Sequence, residues 1–483
     1  MNWADEGFLA YGAVRVMDGQ IPQRDFVSLQ PPLSFYTVAI VFKLFGTSLL
    51  SLRAFGLSIY FLIPLLIYGI GRTVTKPWLS FAAALPACVL GLPNFLFVPF
   101  AVWQGITATL IAAFFYGQAT LRNRHFFAFP AGVFTAASLI SRHDQALYFI
   151  ISVCVLTFVL NLVRDRPISS ANLKRVFVLW LSGIAAVLAP LTIYWWVLGA
   201  LPEMFRQLVV FPVTVYRKTS SLPFPGFSAQ VSSSENAVTL LFYILPLVQA
   251  LATIWLAQSA IRRRFFLKEA ILTFLLVWSA LFYFQALTRS DVNHLFIALP
   301  PFFLLGAYGW HIVLEQIRGR HSFRGKIDIV ISVAAAMAAS YFLWLLIPVS
   351  FPDIRKDNKM LTLDRGGVRT QNVGPTVDFI RQIQGYVPPG RSILCLPYQP
   401  MFYFLCERRN PTRWNYLWPG DQTAKDHQDL VEQAKRDPPL VVLITEEQEV
   451  LLDAPTILDY VHREYRTAGV FGYVSIYKPA SEP

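Results

Sequence analysis

The stretch DEGFLAYGAVRVMDGQIPQRDFVSLQPPLSFYTVAIVFKLFG, residues 5–46, contains two apolar segments of different pattern. In the first segment, apolar side chains recur with the spacing of one helix face, at Leu9, Ala13, Val16 and Met17. This spacing predicts an amphipathic helix on the outer membrane surface. The second segment, 33–45, is apolar but only ~20 Å long as a helix, which is too short to cross a bilayer. It therefore predicts a second interfacial helix, entered through the rigid Pro31-Pro32 pair.

Beyond this stretch, the composition indicates a membrane protein. The 483 residues are 55% hydrophobic and 14% charged, whereas soluble domains carry about 25% charged residues. Windows of about 20 apolar residues predict ten spans. They lie at 50–70, 78–96, 103–121, 126–140, 146–163, 176–198, 237–261, 270–287, 295–314 and 329–347.

The basic residues fall in alternate connections between these spans. One set occupies 72–76, 122–124, 164–175, 262–268 and 318–326. The other set holds only Arg142, Arg206, Arg217, Lys218 and Arg289. The positive-inside rule makes the first set cytoplasmic and puts both ends of the chain on the other side. This distribution explains the net charge of +12 better than nucleic-acid binding does.

The sequence predicts three regions: outward surface helices with an Asp-Glu pair at 1–49, a bundle at 50–350 with an outward loop at 201–236, and a soluble domain at 351–483. Strands at 392–396, 440–444 and 472–478 and a helix at 424–436 make this last domain α/β. Its Arg408, Arg409 and Arg413 suit either a phosphate or acidic glycan, or a solvated basic edge. A disulfide between Cys395 and Cys406 is compatible with this compartment.

Ionisable residues gather at the predicted outward rim of the bundle. They are Asp5, Glu6, Arg24, Asp25, Arg142, Asp144, Arg289, Asp291 and His294, with Arg217 in the large outward loop. Such residues at membrane depth often mark substrate pathways, although each pair is also compatible with an exposed loop ion pair. Likewise, Asp5 and Glu6 suit a helix N-terminus without any catalysis. We expect Asp5, Asp25, Asp144, Arg289 and His294 to converge on one outward cavity beside a hydrophobic groove.

These residue types suit glycosyl transfer from a lipid-linked sugar. A carboxylate takes the proton of an acceptor hydroxyl, while arginine or histidine stabilises charge on the departing phosphate. The sequence contains no zinc motif and no Gly-rich phosphate loop. No cofactor is therefore required, and a divalent metal held by the carboxylates is possible.

The 5–46 stretch, followed by SLRAFGLSIYFL, resembles the start of the PMT-like membrane glycosyltransferases, which have the GT-C fold. The ordered features are the D-E pair, a surface helix, R-D, the P-P entry, an apolar stretch ending in F-G, and an arginine leading the next span. TVYRK...LPFP, RSDVNHL and PYQPMFYFL..RRNPTR also show similarity.

The resemblance implies an inverting hexosyl- or pentosyltransferase that uses a polyprenyl-phosphate sugar. Its acceptor would be a lipid, glycan or protein at the outer face of the membrane, and the bacterial inner membrane is the expected location. Asp5 would be the base with Glu6 beside it, and Asp25 would position donor or acceptor. Arg217, Arg289 and His294 would contact the lipid phosphate.

Two alternatives remain open: a transporter or flippase of lipid-linked glycans, and a non-catalytic envelope assembly protein. A transporter would place its ionisable residues near the bilayer midplane. The family also places a transmembrane helix before the D-E motif, whereas four residues precede Asp5. The resemblance thus implies either a further helix upstream of Met1 or a truncated chain with a poorly anchored Asp5 helix.

Overall fold

The protein was analysed as a computed structural model that describes residues 2–91, 96–163, 165–216, 221–228, 230–320, 337, 340–349, 358–417, 422–445 and 454–481. The chain divides into two compact units. Unit 1 comprises Met1–Phe55, Tyr194–Ser220 and Arg355–Pro483, and unit 2 comprises Gly56–Ile193 and Ser221–Ile354. The predicted first and last regions therefore pack in one unit, which also takes part of the predicted loop at 201–236.

In chain order, the helices are α1 (Asp5–Met17), α2 (Leu33–Phe45), α3 (Leu49–Val74), α4 (Pro77–Ala84), α5 (Ala101–Leu121), α6 (Ala128–Ser141), α7 (His143–Leu162), α8 (Ser170–Val197), α9 (Leu201–Phe205), α10 (Ser233–Ile261), α11 (Leu267–Ala286), α12 (Val292–Arg320), α13 (Ser340–Val349), α14 (Val373–Tyr386), α15 (Met401–Cys406), α16 (Ala424–Arg436) and α17 (Pro455–Glu464). The strands are β1 (Lys359–Met360), β2 (Arg369–Thr370), β3 (Ile393–Leu396), β4 (Val441–Thr445), β5 (Tyr465–Phe471) and β6 (Val474–Pro479).

Six of the described helices are long and apolar enough to cross a membrane, by length and composition: α3, α7, α8, α10, α11 and α12. Each coincides with a predicted span. Local chemistry sets some of their ends. Ser232 and Glu235, for example, form a capping box at the start of α10, in which each side chain accepts from the other residue's backbone N–H, at 3.2 Å and 2.8 Å.

The other four predicted spans are not among these six helices. At 78–96, α4 ends at Ala84, because Pro86 in the following turn cannot donate a helical hydrogen bond. At 126–140, α6 and the turn before it form a short apolar helix. At 103–121, α5 runs for 21 residues but carries buried polar side chains such as Gln104 and Thr109, as a packed interior helix does. At 329–347, only residue 337 and part of α13 are described.

Unit 1 contains a four-stranded mixed sheet of order β3-β4-β6-β5, in which β3 and β4 are parallel and the other pairs antiparallel. Every residue of β3 and β4 is buried, as expected for strands covered on both faces. Leu394 and Val442 share a core with Leu430 of α16 and Ile457 of α17. The predicted α/β domain is confirmed, including its strands at 392–396, 440–444 and 472–478 and its helix at 424–436.

Helix α1 is more buried than its one apolar stripe predicted, while its location at the membrane surface stays a prediction. Leu9, Ala10 and Ala13 are fully buried, and so is Glu6. Burial extends around most of the helix because α1 packs against both α2 and the C-terminal helix α15. An apolar stripe is visible in the sequence, but the second partner lies far away along the chain.

Candidate functional site

Asp5 opens α1 with an exposed side chain. Asn2 provides its hydrogen bonds: Nδ2 of Asn2 donates to Oδ2 of Asp5 at 3.1 Å, and the Asp5 backbone N–H donates to Oδ1 of Asn2 at 2.8 Å. Within the described part of the chain, this carboxylate forms no ion pair. It therefore retains acceptor positions for an incoming hydroxyl group.

Glu6 has a different environment, although it is the next residue. Its side chain is fully buried, and its two oxygens accept from Nε and Nη2 of Arg53 at 2.8 Å and 3.0 Å. The backbone N–H of Asn2 also donates to Oε2 at 3.2 Å. A carboxylate occupied in this way suits an anchoring role better than proton abstraction.

The first turn of α1 is fixed by the segment 401–416, which contains α15. The backbone N–H of Met401 donates to the carbonyl of Trp3 at 3.2 Å, and the Trp3 and Phe402 rings lie 4.7 Å apart. A Cβ atom on Gly7 would lie 2.3 Å from the backbone nitrogen of Met401. Glycine at position 7 thus permits a helix-to-backbone contact beside Asp5 that a larger residue would prevent.

The same segment also holds the rest of α1. Tyr11 stacks on Tyr403 at 4.9 Å, and its hydroxyl accepts from the backbone N–H of Asn410 at 2.7 Å. Nη1 of the buried Arg15 donates to Oδ1 of Asn415 at 2.7 Å. Helix α1 is therefore held along its length by one segment of the C-terminal domain.

Arg24 and Asp25 lie in the loop between α1 and α2. Nε and Nη2 of Arg24 donate to the two carboxylate oxygens of Asp25, both at 2.8 Å, and Nη1 donates to the carbonyl of Leu198 at 3.1 Å. The pKa of Asp25 lies below its ordinary value. Burial alone would raise this pKa, but the hydrogen bonds from Arg24 and the Ile21 N–H and the positive charges of Arg24 and Arg15 lower it by more. Asp25 is thus held ionised, already paired with Arg24.

Residues 201–216 brace this loop. Oε1 of Gln207 accepts from the Ser28 N–H at 2.9 Å, and Nε2 donates to the Gln23 carbonyl at 2.9 Å. Nη2 of Arg413 donates to the same carbonyl at 3.1 Å and lies 3.4 Å from Oε2 of Glu203. The candidate Arg217 lies outside the described residues.

In unit 2, Arg142 and Asp144 form an ion pair at the start of α7. Nε of Arg142 donates to both oxygens of Asp144 at 2.9 Å and 3.2 Å. Nε2 of Gln285 donates to Oδ2 of Asp144 at 2.6 Å, and the Gln145 N–H donates to Oδ1 at 2.9 Å. Asp144 thereby joins the N-terminus of α7 to the C-terminus of α11.

Arg289, Asp291 and His294 follow directly after α11. Nε of Arg289 donates to Oδ2 of Asp291 at 2.8 Å, while Oδ1 accepts from the His294 backbone N–H at 2.9 Å and lies 2.8 Å from Nδ1 of His294. Burial raises the pKa of Asp291, but the hydrogen bonds and charges of His294 and Arg289 outweigh it and lower this pKa. Asp291 therefore orients two potential cations at the start of α12.

The candidate residues divide between the two units. Asp5, Glu6, Arg24 and Asp25 belong to unit 1, whereas the clusters around Asp144 and Asp291 belong to unit 2, at the same end of α11. Convergence of both sets on one cavity stays a prediction. An apolar cavity within unit 2 lies deeper along α12 and is lined by Tyr60, Ile63, Trp103, Phe296, Leu299 and Phe303.

Other residues take roles that the sequence did not indicate. Arg53, Gln207 and Gln285 orient candidate residues. Of these three, only Arg53 belongs to a sequence feature noted above, as the arginine that leads the span after α2. Arg408 fits neither of its two predicted alternatives, a phosphate or acidic-glycan site and a solvated basic edge. Its guanidinium is buried and donates to four backbone carbonyls. Cys395 and Cys406 are buried free thiols.

The described residues contain no group of three or more His, Cys, Asp or Glu side chains placed to hold a metal ion. Arg53 occupies both oxygens of Glu6, so the Asp5-Glu6 pair is a poor metal ligand set. A divalent metal in this protein stays a prediction.

No family model matches the chain, and no curated protein matches its sequence. Solved structures do match its fold. The archaeal oligosaccharyltransferase AglB from Archaeoglobus fulgidus, in complex with an inhibitory peptide and a dolichol-phosphate, is similar with a TM-score of 0.60 at 14% identity, over 99% of this chain and 70% of that chain. ArnT from Cupriavidus metallidurans, bound to undecaprenyl phosphate, is similar with a TM-score of 0.51 at 14% identity, over 99% and 94%.

A third similar structure is the Archaeoglobus fulgidus oligosaccharyltransferase in complex with Zn and sulfate, with a TM-score of 0.53 at 12% identity, over 97% of this chain and 69% of that chain. Identities this low establish a shared architecture and no shared chemistry. The likeness extends over nearly the whole of this chain and includes both the helical bundle and the C-terminal domain. The chain has the GT-C fold, as the sequence predicted.

Proposed function

We propose that the protein is a membrane glycosyltransferase that moves a sugar from a polyprenyl-phosphate donor to a lipid, glycan or protein acceptor. The observation that carries this proposal is the exposed carboxylate of Asp5, which pairs with no basic side chain among the described residues and lies on a buried, braced helix of a GT-C fold. AglB and ArnT were solved with dolichol-phosphate and undecaprenyl phosphate, which supports a lipid phosphate as the carrier.

In the proposed reaction, Asp5 takes the proton of the acceptor hydroxyl as its oxygen attacks the anomeric carbon. The bond between that carbon and the phosphate oxygen breaks, and polyprenyl phosphate leaves with the bonding electrons. Direct displacement from the opposite face inverts the anomeric centre. The reaction requires no nucleotide and would take place at the non-cytoplasmic face of the membrane.

The other candidate residues have supporting roles in this proposal. Glu6 anchors α1 through Arg53, and Arg24-Asp25 positions a substrate group. Arg142, Arg289 and His294 would stabilise negative charge on the lipid phosphate.

Asp5→Asn tests this proposal in protein reconstituted with undecaprenyl-phosphate sugars and a mixed glycolipid acceptor. We expect turnover to fall by about 10²–10⁴-fold, the typical contribution of a general base. Asp18→Asn, which changes an exposed acid at the other end of α1, is the matched control and should retain activity.

Unchanged turnover in Asp5→Asn would refute the base assignment. Movement of lipid-linked sugar across the membrane without product would instead identify a transporter. Intact envelope assembly in a strain carrying Asp5→Asn with Glu6→Ala would identify a non-catalytic assembly protein.

A further inference from the structure

The 201–216 segment, which comprises α9 and the π-helical turns Arg206–Val210 and Pro212–Tyr216, has an apolar outer face. Phe205, Val209 and Val213 recur at four-residue intervals on this face, with 62%, 44% and 70% of their surfaces exposed. A segment packed on a protein in water normally shows the opposite arrangement, with polar side chains outward.

The inner face of the same segment carries the polar contacts. Gln207 is 3% exposed, and its amide bonds to the backbone at Gln23 and Ser28, on either side of Arg24-Asp25. Nε2 of Gln207 also donates to Oε2 of Glu203 at 2.8 Å. A helical segment with this inside-out distribution of polarity needs an apolar medium on its outer side.

The position of the segment in the chain identifies that medium. Three residues separate it from α8, a 28-residue helix that is long enough to cross a membrane and contains an 18-residue window with a mean hydropathy of 2.3. The intervening Leu198 accepts from Arg24 through its carbonyl. The segment therefore starts where a membrane span ends, at the level of the lipid headgroups.

We propose that the 201–216 segment lies in the bilayer surface through Phe205, Val209 and Val213, and that Gln207 transmits this position to the Arg24-Asp25 loop. Lipid is the occupant of the apolar face. Gln207 is a positioning residue, and this second part of the inference rests on the proposed function.

Nitroxide accessibility tests the lipid contact without any activity assay. The four cysteines are replaced by serine in the full chain, and Phe205→Cys, Val209→Cys and Val213→Cys are labelled one at a time in phosphatidylethanolamine–phosphatidylglycerol vesicles. We expect collisions with oxygen to exceed those with a water-soluble nickel chelate at all three positions. Gln428→Cys, on an exposed turn of α16 in the same unit, is the aqueous control and should show the reverse.

Predominant collision with the nickel chelate at the three positions would show a water-exposed face and overturn the proposal. Low collision with both reagents would show a protein contact, such as a second copy of this chain, and would also overturn it.

Gln207→Leu tests the positioning role. We expect kcat to fall by at least about tenfold, because small displacements of a substrate-positioning loop are costly, while the donor KM stays within about twofold. Gln249→Leu is the control, since its amide donates to Ser279 within unit 2 at 3.0 Å. A parallel rise in KM, or equal losses in both variants, would refute a positioning role for Gln207. Absence of transfer by the wild-type protein would refute the proposed function and leave the labelling result standing.

Discussion

The carboxylate of Glu6 and the guanidinium of Arg53 form a doubly hydrogen-bonded ion pair, with the carboxylate fully buried and 16% of the arginine side chain exposed. The adjacent Asp5 is exposed and forms its side-chain hydrogen bond with Asn2. Two neighbouring acids thus have separate physical roles. The Glu6–Arg53 pair fixes the helix, and the exposed Asp5 carboxylate is accessible to a substrate.

Glu6→Gln should destabilise the folded protein by about 3 kcal/mol, because it leaves the largely buried guanidinium of Arg53 without its compensating charge. The measurement is the Tm of the detergent-solubilised protein. Glu6→Leu combined with Arg53→Leu should recover much of this loss, since neither group then lacks its partner. Equal stability of Glu6→Gln and the wild type would contradict the assigned role.

Gly7→Ala and Gly385→Ala should change stability in opposite directions. The new methyl group at position 7 collides with the backbone of Met401, so the free energy of unfolding should fall by about 1–3 kcal/mol. The same collision should move Asp5 and therefore lower kcat. At Gly385, near the end of α14, the methyl group enters open space and should stabilise by roughly 0.5 kcal/mol. Thermal melts and turnover of both variants check this, and a neutral Gly7→Ala would contradict the close packing of α1.

Asp25→Asn should reduce stability in a pH-dependent way. The pKa of Asp25 is lowered in the folded protein, so its ionised form stabilises the fold above the unfolded-state value of about 3.9. This contribution disappears as the pH falls through the lowered pKa. The Tm difference between wild type and variant should therefore be largest at pH 5–7 and shrink below about pH 4. A pH-independent difference would show that the charge of Asp25 does not contribute.

Gln285→Leu should lower the free energy of unfolding by about 1.5–3 kcal/mol, because Asp144 loses a hydrogen-bond donor at 2.6 Å. This is the usual contribution of a hydrogen bond to an ionised group. It should also raise the KM for the lipid-phosphate donor severalfold, since Arg142 pairs with the same carboxylate. Binding of sugar-free undecaprenyl phosphate gives a second measurement of this effect. Gln249→Leu, which loses a bond to a neutral hydroxyl, should cost less, and equal costs would contradict the ionic nature of the Asp144 contact.

The sequence predicted those elements whose start, end and apolar pattern are all marked by nearby residues. The bounds of α2 follow from the Pro31-Pro32 entry and from Gly46, which has a φ of +91° just after the helix. The long apolar runs similarly predicted the six helices that are long and apolar enough to cross a membrane. The helix α15 was missed because MFYFLC is a short apolar run without helical or strand periodicity.

The site was less predictable, because its geometry depends on distant contacts. The pattern of α1 indicated one apolar stripe, whereas Tyr11 and Arg15 meet partners 399 and 400 residues later in the chain. Polar clusters at Asp144 and Asp291 were visible as charged loops between apolar runs. The brace from Gln207 to Gln23 and Ser28 was not, because a single glutamine in an apolar stretch specifies no partner.

The contact of α1 with the 401–416 segment sets an order of events during biosynthesis. A ribosome makes Asp5 before the bundle, yet the backbone against which Gly7 packs, at Met401, is synthesised only after nearly the whole bundle. Closure of so long a loop is slow and must follow insertion of the spans. The candidate base therefore stays unpositioned in a nascent chain, and removal of the 401–416 segment should abolish chemistry at Asp5.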